Sequence, residues 1–103
     1  MVIEAKDETF HELIQEGVCI VDFYSTHCGP CRAVTAMLLK LEADFPFISV
    51  VKVNTDYCPK LAEEYQISAL PTIYFVKDGE MKEYQGVMQI FGLEEKLSKL
   101  LYE

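Results

Sequence analysis

The chain has 103 residues, half of them apolar and a quarter charged, with 17 Asp and Glu against 9 Lys and Arg for a formal net charge of -8. That length suits one domain with one modest core, the composition excludes low complexity and disorder, and the acidic balance disfavours nucleic acid or an anionic membrane as partner. The segment from Met1 to Glu12 has no basic stretch leading into an apolar one, and no run approaches the roughly 20 apolar residues of a membrane span, so the expectation is a cytoplasmic protein.

Val2 to Ala5 is a short apolar start suited to an edge strand. Asp7 offers an N-cap, and Phe10, Leu13 and Ile14 follow at helical spacing until Gly17 ends the helix. Val18 to Tyr24 is a nearly continuous apolar and aromatic run, the pattern of a strand covered on both faces, with Asp22 as its one interruption. After a loop that holds two cysteines, Val34, Met37, Leu38, Leu41 and Phe45 recur at helical spacing and predict a helix that ends before Pro46. Ile48 to Val53 reads as another buried strand, and Pro59 at a first helical position opens a short helix to about Tyr65. Thr72 to Val76 and Met81 to Tyr84 flank Asp78-Gly79, a strong hairpin signal. A last helix carries Leu93, Leu97, Leu100 and Leu101 on one face. The order β, α, β, α, β, α, β, β, α predicts a single α/β domain over residues 1–103, with a mixed sheet and helices on both faces.

Four cysteines in an oxidising space would suggest a disulfide framework, but here they form one close pair and two distant singles, which favours chemistry over stapling. Cys28 stands at the start of the predicted helix, where partial positive charge and unpaired N–H donors stabilise a thiolate. Cys31, one turn on, is within disulfide reach and can resolve a mixed disulfide formed at Cys28. Gly29 permits close approach of a partner backbone, and Pro30 is tolerated where a helix begins. Asp22, in a doubly covered strand, loses hydration, which raises its pKa toward values useful for acid–base work.

Val21-Asp22-Phe23-Tyr24, then Cys28-Gly29-Pro30-Cys31, then Leu70-Pro71-Thr72 together resemble the thioredoxin family, and the likeness extends to Lys52, to Lys77-Asp78-Gly79 and to Gly86. The resemblance implies the thioredoxin fold, with about five strands and four helices, and a protein-disulfide reductase in which Cys28 attacks and Cys31 resolves. It implies that Asp22 moves protons for Cys31 with Lys52 tuning it, and that Pro71 is cis and faces the disulfide. Gly29, Pro30, Leu70, Gly86 and Val87 would form the client-contact surface. No bound cofactor is implied; disulfide-containing clients such as ribonucleotide reductase, peroxidases and sulfoxide reductases are, and so is a separate thioredoxin reductase. A docking module on the same fold, with the dithiol secondary or regulatory, is the competing reading.

Three positions depart from the family pattern: Tyr24 and His27 stand where tryptophans are usual, and Ala36 replaces a helix-kinking proline. A protonated His27 beside Cys28 would stabilise the thiolate and make the disulfide more oxidising; the plainer reading is a solvent-facing loop residue. A zinc site would need two more ligands, and Cys19, Cys58, His11 and His27 show no second paired spacing. Cys19 reads as a small core residue and Cys58, before Pro59, as a tolerated thiol or a regulatory one. Val87 to Phe91 is apolar enough for a partner patch or for packing under the last helix.

Overall fold

The apolar run predicted as a doubly covered strand becomes the centre of the sheet. In the computed structural model, which describes residues 1–84 together with the helical positions Gly92, Glu95 and Lys99, β2 (Val18–Tyr24) lies between β3 (Ser49–Asn54), parallel to it, and β4 (Thr72–Lys77), antiparallel. The outer strands are β1 (Val2–Glu4), parallel to β3, and β5 (Glu80–Tyr84), antiparallel to β4, giving the order β1-β3-β2-β4-β5.

Side chains alternate across β2 and divide the core in two. Cys19, Val21 and Phe23 join Phe10, Val51, Val53 and Leu61 on one face, which carries α1 (Phe10–Leu13) and α3 (Pro59–Glu64). Ile20 joins Val34, Leu38, Leu41, Val50 and Ile73 on the other, under α2 (Gly29–Asp44). Asp22 has the parity of Ile20 and therefore emerges on the α2 face.

Among the described residues the predicted elements recur within a residue or two, with one correction. The first helix is a single turn, Phe10–Leu13, and Asp7 does not cap it. The Asp7 Oδ1 instead accepts from the backbone N–H of Leu61 at 3.0 Å, so it serves the first turn of α3, where Pro59 brings no N–H and Cys58 makes no side-chain cap bond. A side chain freed from its own short helix satisfies a donor on another. Ala36 lies within α2, a continuous helix of 16 residues that stops at Phe45, before Pro46.

The hairpin between β4 and β5 turns through Asp78 and Gly79, both at positive φ (49° and 86°), the conformation that favours Asp-Gly there. Asp78 also exchanges two hydrogen bonds with Gly17, at 2.9 and 2.8 Å, fixing the hairpin to the entrance of β2. The expected final helix with its four leucines and the Val87 to Phe91 stretch lie outside the described residues. Among those described, no helix is long and apolar enough to cross a membrane.

Candidate active site

The carboxyl end of β2 delivers the chain through Ser25–His27 to Cys28, the N-cap of α2. Gly29 and Pro30 occupy the first helical positions, where a backbone N–H has no intrahelical acceptor, so the N–H that Pro30 lacks is not missed. Cys28 and Cys31 are joined as a disulfide with a Cα–Cα distance of 5.3 Å. The Cys28 Sγ also accepts from the Cys31 N–H at 3.2 Å, so the helix-terminal amide already points at the atom that would carry charge as a thiolate. The two sulfurs are not equivalent in access: Cys28 is half-buried with exposed neighbours on either side, and Cys31 is 2% exposed.

The loop before Cys28 is tied down by polar residues from the last position of β3 and the turn after it. Asn54 donates from Nδ2 to Thr26 Oγ1 (3.2 Å), Ser25 donates to Asp56 Oδ2 (3.0 Å), and the Thr55 N–H and hydroxyl both donate to the Tyr24 carbonyl (2.9 and 3.1 Å). Asn54 and Asp56 escaped the sequence reading; the available signal was a polar residue closing an apolar strand. An open pocket of about 370 Å³ reaches this corner, lined in part by Tyr24, Cys31, Thr35, Lys52 and Asn54.

Asp22 is fully buried, and neither carboxylate oxygen has a hydrogen-bond partner among the described residues. Burial pushes its pKa up from 3.8 to about 6. The Lys52 charge opposes that rise, Glu4 reinforces it, and the Thr35 hydroxyl lowers it slightly from a position where no hydrogen bond has formed. Lys52 is the register partner of Asp22 on β3.

Leu70 and Pro71, joined by a cis bond, are half-buried and lead into β4, whose first residue Thr72 pairs with Phe23. Antiparallel pairing thus brings Pro71 to the end of the sheet from which the cysteine loop departs. Gly29 and Pro30 are exposed, and a Cβ added at Gly29 would meet nothing within 4 Å. His27 is exposed, with its backbone N–H bonded to Ser25 Oγ at 3.2 Å. Gly86 and Val87 lie outside the described residues.

The remaining thiols are buried and free. Desolvation raises the Cys19 pKa to about 11 and raises that of Cys58, whose Sγ donates to the Ala5 carbonyl at 3.6 Å. His11 pairs with Glu64 at 2.8 Å on the surface, and no group of three or more His, Cys, Asp or Glu among the described residues is placed to hold a metal.

Residues 1–99 match the family model described as Thioredoxin. The chain is 38% identical over 96 residues to a thioredoxin of Chlamydia pneumoniae, covering 93% of this chain and 89% of that protein. It is 36% identical to the chloroplastic thioredoxin Y2 of Arabidopsis thaliana, covering 94% of this chain and 62% of that one. Among solved structures, the oxidised form of mitochondrial thioredoxin 3 from Saccharomyces cerevisiae superposes with a TM-score of 0.84 at 31% identity, covering 95% of this chain and 94% of that chain.

Proposed function

The chain belongs to the thioredoxin family and is a thiol–disulfide oxidoreductase, and from that premise we propose how its own residues divide the reduction of client disulfides. The Cys28 thiolate attacks one sulfur of the client disulfide, and the client's other sulfur leaves as a thiolate. Cys31 then attacks the Cys28 sulfur of the mixed disulfide, closing Cys28–Cys31 and releasing the second client sulfur. Two electrons pass to the client, and a separate reductase returns them. The observation that carries this order is the contrast in access, with Cys28 half-buried at a helix start and Cys31 buried one turn behind it.

Asp22 takes the proton from Cys31 as that thiol becomes the nucleophile and returns it on re-reduction. Its pKa near 6 supports this role, because a carboxyl that titrates close to neutrality exchanges protons in either direction. Lys52 and His27 tune the two ends of the pair. Gly29, Pro30, Leu70 and Pro71, each exposed or half-buried, receive an extended client segment, and the family resemblance adds Gly86 and Val87 to the residues that contact it. Residues 1–103 act as one domain.

Clients are disulfide-containing proteins, with ribonucleotide reductase, peroxidases and sulfoxide reductases as candidates, and the electron donor is a thioredoxin reductase. The compartment is the cytoplasm, a reading supported by two free buried thiols, Cys19 and Cys58. The acidic charge disfavours nucleic acid and anionic membranes. A docking module that ignores its dithiol has no use for a buried carboxyl that accepts no hydrogen bond among the described residues, and that reading is not favoured.

The test is reduction of a model protein disulfide such as insulin. Cys28→Ser abolishes turnover, and Cys31→Ser accumulates a mixed disulfide through Cys28; turnover retained in Cys28→Ser overturns the reading.

A further inference from the structure

Glu4 on β1, Lys52 on β3 and Asp22 on β2 are in register, so a negative, a positive and a negative side chain form one row across the sheet on the face covered by α2. Tyr24, two residues beyond Asp22, emerges on that same face. Its hydroxyl donates to Glu4 Oε1 at 2.6 Å, and the Lys52 Nζ stands 4.3 Å from its ring centroid. The phenol therefore reaches from β2 across β3 to β1, with the lysine ammonium against its face. Among the described residues Lys52 makes no ion pair, so the aromatic face is the contact that locates its charge.

We infer that Tyr24 is a positioning residue of the reductase: its ring seats the Lys52 ammonium on the strand beside Asp22, and the Glu4 carboxylate fixes the ring. A lysine has a flexible four-carbon stem and, unheld, carries its charge out into water, where screening weakens its action on a buried carboxyl. An aromatic face within about 6 Å of the ammonium offsets that tendency. The charged groups acting on Asp22 are Lys52 from β3 and Glu4 from β1, with the Thr35 hydroxyl from α2; the β4 register partner, Ile73, brings no charge. Cys31 on α2 is the further titratable group near this corner once reduced. Tyr24 thus matters to the chemistry only through Lys52, and its relevance to turnover rests on the reading that Asp22 carries the Cys31 proton.

The experiment is a carbon-detected NMR titration of the Asp22 carboxyl in the oxidised protein, with Tyr24→Leu made in the natural background and in Lys52→Met. With Lys52 present, Tyr24→Leu raises the Asp22 midpoint by roughly half a unit, because the opposing positive charge is released. Tyr24→Phe, which keeps the ring, raises it less. With Lys52→Met the substitution gives no rise, since only added water access remains, and that lowers the midpoint. Equal shifts in the two backgrounds, or no rise with Lys52 present, overturn the inference. A second measurement needs no substitution: the Lys52 ε-methylene protons are displaced upfield by the Tyr24 ring current, and undisplaced protons also overturn it. Failure of the proton-carrier reading is distinguishable, because an unchanged pH–rate profile in Asp22→Asn would leave the midpoint shift standing.

Discussion

Asp22 and Lys52 are register partners on adjacent parallel strands, one a buried carboxyl with no hydrogen bond among the described residues and the other an ammonium resting on an aromatic ring. The pair is unequal: burial moves the carboxyl upward by more than the lysine moves it down. The fold therefore holds Asp22 in an environment that prefers its neutral form.

That preference has a cost in stability at neutral pH. Because the Asp22 pKa rises from 3.8 to about 6 on folding, the native state binds a proton that the unfolded chain has released, and stability falls as pH rises through that window. The stabilising contribution is full below about pH 4 and lost above about pH 6. Asp22→Ala is expected to be more stable than the natural chain at pH 8 by up to about 3 kcal/mol, with the advantage gone at pH 4. Denaturant unfolding at the two pH values measures it, and a difference independent of pH would contradict the assignment.

Removing the carboxyl also affects rate. Asp22→Asn is expected to slow resolution of a Cys28 mixed disulfide by at least roughly tenfold near neutral pH and to erase the inflection near pH 6. Single-turnover rates across pH, with Cys28→Ser as the blank, give the comparison.

For His27, the expected effect is small because the side chain is exposed. In the reduced protein, His27→Trp raises the Cys28 thiol midpoint by roughly a few tenths of a unit, the size left after solvent screening. Ultraviolet thiolate absorbance against pH reads it directly, and identical curves would remove His27 from the tuning residues.

Asp7 makes a prediction at a distance. Asp7→Ala leaves the Leu61 N–H without its side-chain acceptor and is expected to cost about 1 kcal/mol of stability. Amide exchange should quicken at Leu61 more than at the α2 amides; uniform change across both helices would mean that the cap is not the cause.

Cys19 and Cys58 are buried with raised pKa values, so in the native reduced protein they should alkylate at least roughly tenfold more slowly than Cys28. Peptide mass spectrometry after timed iodoacetamide treatment separates the sites. A Cys58 rate equal to that of Cys28 would revive its regulatory reading.

Legibility in the sequence followed the range of each interaction. The Val18–Tyr24 run declared a strand covered on both faces, and Asp78-Gly79 declared its hairpin, because burial on both sides and positive φ leave marks on neighbouring residues. The cysteine pair and Asp22 were equally local signals. Asp7 misled, because its acceptor role is filled 54 positions away, and no local pattern distinguishes a cap for the next turn from a cap for a distant one. Glu4 could not be linked to Tyr24 until the order β1-β3-β2 put a third strand between theirs. In the sequence Tyr24 closes the β2 run and stands where a tryptophan is usual; its contact with Lys52 is a product of the strand order.

The parallel pairing of β1 with β3 has a consequence for biosynthesis. Val2 pairs with Val50 and Glu4 with Lys52, so β1, synthesised before the other strands of this sheet, has no partner until the middle of the domain has followed it. During that interval its backbone donors and acceptors form an open template for other chains. Only three residues long, with Glu4 as its last, β1 offers little length for such pairing and a charge at its end, which limits misassociation while the chain waits for its own third strand.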